Sequence, residues 1–95
     1  MTEVHTNMKK IIFLGLGTNM GDRLANLTAA RAALEPYASL LMASSIYKTP
    51  PWGFTNQPEF LNQVLKSETD LSPTRLLITI KKIENELELR DQKLC

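Results

Sequence analysis

Cysteine, histidine and aromatic residues are scarce in this chain of 95 residues, and neither sign of charge is in excess. The single cysteine, Cys95, cannot form an internal disulfide or a thiolate cluster, so we expect a reducing, cytoplasmic compartment. The single histidine, His5, precedes the first patterned segment and is not expected to serve a folded site. The net charge of +1 argues against general nucleic-acid binding but leaves a small phosphorylated ligand open.

Long hydrophobic runs are also absent from the sequence. The apolar run from Ile11 to Leu16 follows two lysines, but it is too short for an export signal or a membrane span. Length and composition indicate one globular domain. We therefore expect residues 1–9 to be disordered or an extension, and residues 10–95 to form a single, truncated domain.

The hydrophobic pattern predicts the element order β-α-β-β-α. Ile11 to Leu14 lacks polar alternation, which is typical of a strand covered on both faces. Asp22 or Asn19 is expected to cap the first helix, and Ser72 the second. The predicted elements are a strand at 11–14, a glycine turn at 15–21, a helix at 22–34, strands at 40–48 and 59–68, and a helix from 72 to about 88.

This order corresponds to an α+β, ferredoxin-like fold, βαββα(β), in which the final strand is absent. The first strand would then lack its outer neighbour. An apolar edge of that kind pairs readily with another strand, so we expect self-association through the open edge or completion by another chain.

Two neighbouring segments could hold a flat ligand. The loop Thr49-Pro50-Pro51-Trp52-Gly53-Phe54 is stiffened by its prolines, and its Trp52 either contacts a ligand or packs over the end of the sheet. Phe60 and Asn62 are two residues apart on a strand and therefore share a face. A ring that stacks beside a carboxamide that reads an edge suits a planar heterocycle, although Asn62 could instead bond to a neighbouring loop backbone.

The second helix and the glycine turn offer weaker signals. Glu84 falls between Ile80 and Leu77 on a helical wheel, so its carboxylate must face a cleft or pair with Lys81 one turn earlier. The glycine turn lacks the Lys-Ser/Thr of a P-loop, which favours a structural role between strand and helix.

Five segments occur together in this sequence. They are Leu16-Gly17-Thr18-Asn19-Met20-Gly21-Asp22-Arg23, Ser45-Ile46-Tyr47-Lys48-Thr49-Pro50-Pro51-Trp52-Gly53, Gln57-Pro58-Glu59-Phe60-Leu61-Asn62, Leu71-Ser72-Pro73 and Ile83-Glu84-Asn85-Glu86-Leu87. Their succession closely resembles the 6-hydroxymethyl-7,8-dihydropterin pyrophosphokinase family of the folate pathway. The resemblance covers only the amino-terminal part of the family's domain, and Thr18 stands where the family usually has serine.

The resemblance implies that the complete protein transfers pyrophosphate from ATP to 6-hydroxymethyl-7,8-dihydropterin. It implies a pterin site in which the residue matching Phe60 stacks and that matching Asn62 bonds the ring edge. It also implies that Glu84 contacts ATP, with Lys81 standing where the family often has glutamine. No residue is assigned as catalytic. The remaining pterin-site residues implied by the resemblance are Thr49, Pro50, Pro51 and Trp52.

Departures from the family pattern begin after the second helix. The family continues through a Gly-Arg pair to arginines that neutralise the triphosphate and to an Asp-x-Asp pair that holds magnesium; here Glu88 and Leu89 replace Gly-Arg. The complete protein is therefore expected to use Mg²⁺ and ATP, whereas this chain is expected to supply no metal ligand and to be inactive alone. The alternative is a non-catalytic pterin-binding or interaction module. An RNA-binding ferredoxin-like domain is disfavoured by the charge and by the lack of paired sheet aromatics.

Overall fold

The computed structural model describes residues 9–51 and 56–94, with side chains as far as Leu87. It confirms the predicted α+β class and is consistent with the ferredoxin-like arrangement, with an antiparallel sheet and two helices. The elements are β1 (Lys10–Thr18), α1 (Arg23–Leu34), β2 (Ser39–Ala43), β3 (Tyr47–Thr49), β4 (Phe60–Thr69) and α2 (Pro73–Leu94).

β4 lies in the middle of the sheet and pairs with every other strand of the described chain. β1 runs antiparallel along one side of it, in an unbroken register from Lys10 opposite Thr69 to Thr18 opposite Leu61. β2 and β3 share the other side, and the register of β2 shifts between Leu40 and Met42. β1 is therefore an edge strand among the described strands, as its predicted open edge requires.

Both helices cover the same face of the sheet. Leu65 of β4, Leu34 of α1 and Ile83 of α2 form the buried cluster, and Leu14 and Leu16 pack against it from β1. Side chains alternate along a strand, so the odd-numbered residues of β4 face the helices and the even-numbered ones face away. The second face of the sheet, which carries Phe60 and Asn62, has no helix over it in the described chain.

Local chemistry sets where the helices begin. The Asp22 carboxylate caps α1 by accepting from the Ala25 N–H at 3.2 Å, and Ser72 Oγ accepts from the Arg75 N–H at 3.3 Å before α2 starts at Pro73. Both predicted caps are confirmed. These bonds satisfy backbone donors that have no partner within the helix.

Two predictions about the first strand are wrong. The segment from Gly15 to Thr18 belongs to β1, because pairing with β4 outweighs the weak strand preference of glycine. Among the described glycines only Gly21 has a positive φ, of 56°, so the turn starts later than predicted. Nor is the strand covered on both faces, since Phe13 is 68% exposed.

The predicted strand at 40–48 is divided into β2 and β3. Ser44, between them, places its own hydroxyl where a strand would present a backbone carbonyl: Ser44 Oγ accepts from the Val64 N–H at 2.9 Å. The pairing with β4 is thus continued by a side chain, and regular strand geometry stops there. Leu24 of α1 and Leu77 of α2 are exposed, so each helix packs against the sheet through a narrow apolar stripe.

Candidate functional site

Phe60 and Asn62 lie on the open face of the sheet, as their spacing predicts. Asn62 lies between two neighbours, with Gly17 of β1 opposite on one side and Tyr47 of β3 opposite on the other. Phe60 pairs across with Thr49. The three predicted site residues on these strands, Thr49, Phe60 and Asn62, are thus brought together at one end of the sheet, and each is half-buried.

The side-chain amide of Asn62 has a defined orientation. Its Nδ2 donates to Thr49 Oγ1 at 2.8 Å and to the Tyr47 carbonyl at 3.4 Å. No donor among the described residues reaches its Oδ1. Because Thr49 Oγ1 already accepts a hydrogen, its own hydrogen is free to be donated. The pair therefore presents one acceptor, Oδ1, beside one donor, the threonine hydroxyl.

Gly17 belongs to this site, although the sequence pattern placed it in a turn. A Cβ at position 17 would lie 3.0 Å from Asn62 Oδ1 and 4.0 Å from Phe60 Cδ1. A Cβ at Gly15, one pleat away on the same face, would meet nothing within 4 Å. Gly17 thus leaves open the space beside the Asn62 acceptor. Only the register between β1 and β4 reveals this role.

The segment before Phe60 is held by residues of the β1–α1 connection. Asn19 Nδ2 donates to Gln57 Oε1 at 3.3 Å and to the Pro58 carbonyl at 3.5 Å. Arg23 Nη1 donates to the Glu59 carbonyl. These contacts give the glycine-rich connection a structural function, since it fixes the approach of the chain to Phe60.

The proline loop is described only at its start. Thr49 and Pro51 are half-buried and Pro50 is exposed, whereas Trp52 lies outside the described residues. The structure therefore places Thr49 beside Asn62, and the interpretation of Trp52 stays a prediction.

Lys81 and Glu84 lie on the other side of the sheet. They line a cavity of about 400 Å³ between β1, α1 and α2. The Lys81 ammonium lies 3.8 Å from a Glu84 carboxylate oxygen, and the two side chains are 71% and 61% exposed. The predicted pairing of Glu84 with Lys81 is confirmed. Glu84 nevertheless lies outside the buried arc of α2, which contains Ile80, Ile83 and Leu87.

The two groups of candidate residues are separated by β1. Gly17 borders the cavity and also faces Asn62. At this point only the backbone of β1 separates the cavity on the helix side from the open face. Within residues 9–51 and 56–87, whose side chains are described, there is no cluster of three histidine, cysteine, aspartate or glutamate side chains able to hold a metal ion. Neither described helix is long and apolar enough to cross a membrane.

Comparison with known proteins agrees with the sequence resemblance. The chain is 42% identical over 81 residues to the 2-amino-4-hydroxy-6-hydroxymethyldihydropteridine pyrophosphokinase of Aquifex aeolicus, which covers 85% of this chain and 51% of the relative. It is 42% identical over 82 residues to the Bacillus subtilis protein of the same name, covering 84% and 49%. It is 36% identical over 87 residues to a folate synthesis bifunctional protein of Arabidopsis thaliana, covering 90% and 18%.

The chain thus spans about half the length of the bacterial relatives that it matches. The family model described as 7,8-dihydro-6-hydroxymethylpterin-pyrophosphokinase matches residues 13–94, which include every described residue of both candidate groups. On this match, the chain belongs to the 7,8-dihydro-6-hydroxymethylpterin-pyrophosphokinase family.

Proposed function

We propose that the complete protein transfers a pyrophosphoryl group from ATP to 6-hydroxymethyl-7,8-dihydropterin in the cytoplasm, and that this chain supplies the acceptor site. In that reaction the hydroxymethyl oxygen forms a bond to the β-phosphorus and loses its proton. The bond between the β-phosphorus and the oxygen that bridges it to the α-phosphorus breaks, and AMP leaves. The relatives' names support a role in folate biosynthesis.

The observation that carries this proposal is the donor and acceptor pair formed by Thr49 and Asn62. A pterin is a planar heterocycle whose pyrimidinone edge alternates N–H donors with nitrogen and oxygen acceptors. Asn62 Oδ1 can accept from a ring N–H while the Thr49 hydroxyl donates to a neighbouring ring acceptor. Phe60 provides an aromatic face beside them, and Gly17 leaves room for the ring edge.

The nucleotide is proposed to bind at the cavity that Lys81 and Glu84 line. A carboxylate there can accept from nucleoside hydroxyl or amino groups, and an ammonium can pair with phosphate. The residues whose side chains are described do not fit a magnesium site, since they form no metal-binding cluster and Glu84 is paired with Lys81. No step of the reaction is therefore assigned to a metal held by these residues.

Binding of the acceptor is the direct test of the proposal. Replacement of Phe60 by alanine is expected to weaken binding of 6-hydroxymethylpterin by roughly five- to 150-fold, the effect of losing about 1–3 kcal/mol of stacking. Isothermal titration calorimetry measures this loss. Phe13→Ala is the matched control, because Phe13 is an exposed aromatic residue on the same sheet face, outside the site. Equal affinities for wild type, Phe60→Ala and Asn62→Ala would place the ligand elsewhere.

Gly17 and Gly15 give a second, steric comparison. Gly17→Ala is expected to displace the Asn62 amide by a few tenths of an ångström and to lower pterin affinity about fivefold, close to the loss of one hydrogen bond. Gly15→Ala, which meets no neighbour, should leave affinity unchanged and raise the melting temperature slightly. If both variants bound the ligand as wild type does, Gly17 would have no part in the site.

A non-catalytic pterin-binding module is the second candidate function. The absence of a metal-binding cluster from the described residues favours it for this chain taken alone. Such a module would show the same pterin affinity and the same response to Phe60→Ala. It would differ only in releasing no AMP.

The proposal extends to the free edge of the sheet. β1 offers nine residues in unbroken register and pairs only with β4 among the described strands, whereas the register of β2 is interrupted. An edge strand whose register is interrupted pairs poorly with a strand from another chain, whereas a regular edge strand pairs readily. We therefore propose a second copy of the chain as the simplest partner for β1. Sedimentation as a monomer at every concentration would contradict this.

A further inference from the structure

Gln63 is a buried polar residue in the middle of β4. It lies on the helix side of the sheet between Leu61 and Leu65, and only 5% of its surface is exposed. A buried amide is costly unless both of its ends are bonded. Gln63 Oε1 accepts from Arg31 Nη1 at 2.7 Å, and Gln63 Nε2 donates to the Ser44 carbonyl at 2.8 Å. The orientation of the amide follows from its partners, because a guanidinium can only donate and a carbonyl can only accept.

Ser44 is the anchor of the connection between β2 and β3. Besides its bond to Gln63, its N–H donates to the Val64 carbonyl at 2.8 Å and its Oγ accepts from the Val64 N–H at 2.9 Å. Ser44 Oγ also donates to the Ser45 carbonyl at 2.8 Å. Ser44, which lies between β2 and β3, is thus hydrogen-bonded to two successive residues of β4, Gln63 and Val64.

β3 begins three residues after this anchor, and its strand pairing is with β4. It is only three residues long, and Tyr47 and Lys48 are exposed. Yet β3 carries Thr49, whose hydroxyl fixes the Asn62 amide at 2.8 Å. The position of β3 along β4 therefore decides whether that bond forms. Asn62 and Gln63 are adjacent in sequence and point to opposite faces of the sheet. Gln63 therefore bonds to Ser44 on the helix side, whereas Asn62 bonds to Thr49 on the open face.

We propose that Arg31, Gln63 and Ser44 form a positioning relay that sets β3 against β4 and thereby orients the Asn62 amide on the other face. The relay is a positioning device, because Arg31 and Gln63 lie on the helix side of the sheet and Ser44 takes part through its backbone carbonyl. Its consequence for ligand binding rests on the proposed function. Its effect on Asn62 does not, since the Thr49–Asn62 bond exists without a ligand.

The Gln63→Glu variant tests whether Gln63 positions β3 or only stabilises the fold. The carboxylate keeps the bond to Arg31 and strengthens it with charge, but it places an oxygen lone pair against the Ser44 carbonyl in place of a donor. Arg31→Met removes the hydrogen bond between Arg31 and Gln63, whereas Arg31→Lys retains a single charged donor at that position. The matched control is Thr69→Val at the far end of β4. Thr69 is equally buried on the same face, and its Oγ1 donates to the Tyr37 carbonyl at 2.7 Å.

The experiment records the side-chain amide signals of Asn62 in ¹⁵N-labelled, ligand-free chain, together with pterin affinity and thermal stability. Gln63→Glu and Arg31→Met are expected to move the Asn62 signals towards those of a free amide and to lower affinity about tenfold. Arg31→Lys should restore part of both effects. Thr69→Val should lower the melting temperature and leave the Asn62 signals in place.

Unchanged Asn62 signals in both relay variants would overturn the proposal and leave Gln63 a stabilising residue only. The same conclusion would follow if Thr69→Val moved those signals as far as Gln63→Glu does. Failure of the wild-type chain to bind pterin would count against the proposed function, whereas the ligand-free spectra would still decide the relay. If Gln63→Glu does not fold, Arg31→Met and Arg31→Lys make the same comparison.

Discussion

Incubation of the 95-residue chain with ATP, magnesium and 6-hydroxymethyl-7,8-dihydropterin is expected to release no AMP above a protein-free control. Phosphoryl-type transfer depends on cations placed around the triphosphate as charge moves to the leaving group. The described residues contain no cluster that could hold a metal ion. Lys81, the cation that lines the cavity, is mostly exposed and already paired with Glu84.

The full-length Aquifex aeolicus relative, assayed in parallel, serves as the positive control for substrates and detection. AMP formed in step with pterin diphosphate by the 95-residue chain, and lost in Phe60→Ala, would contradict the expectation. It would mean that residues outside the described part, or another chain, complete the site. Tight pterin binding without AMP would instead assign this chain the role of an acceptor module.

Replacement of Leu65 by alanine is expected to destabilise the fold strongly. Leu65 is 2% exposed and lies where the sheet meets Leu34 of α1 and Ile83 of α2. Removing a buried leucine side chain costs about 2–5 kcal/mol. A domain of this size has a total unfolding free energy of about 5–14 kcal/mol. The melting temperature should therefore fall by roughly 10–30 °C, measured by circular dichroism.

Val64→Ala is the control for this experiment. Val64 immediately precedes Leu65 on the same strand, but it faces the open side of the sheet and is 36% exposed. Its truncation removes fewer buried contacts and should cost well under half as much as Leu65→Ala. A cost equal to that of Leu65→Ala would mean that the open face is packed against something in solution.

Features that depend on neighbouring residues were predictable from the sequence. Asp22 and Ser72 cap their helices because a short polar side chain reaches backbone N–H groups within a single turn. The alternation that puts Phe60 and Asn62 on one face is likewise a property of the strand itself.

Features that depend on distant partners could not be predicted in this way. Gly15 and Gly17 read as a turn, and only β4, some fifty residues later, supplies the pairing that makes them part of a strand. The same pairing brings Gly17 against Asn62. For Glu84, a helical wheel predicts an apolar setting, but the width of the buried arc is decided by what α1 and the sheet present to α2.

The link between β2 and β3 has a consequence for insertions and deletions. With Ser44 fixed on Val64, the number of residues that follow determines which face each side chain of β3 occupies. Adding or removing one residue there would turn Thr49 towards the helices and bring a neighbouring residue to the open face. A change of two residues would preserve the faces and alter only how far the chain reaches. Whether this link has an odd or an even number of residues thus matters as much to the proposed pterin site as the side chains of Thr49 and Asn62 do.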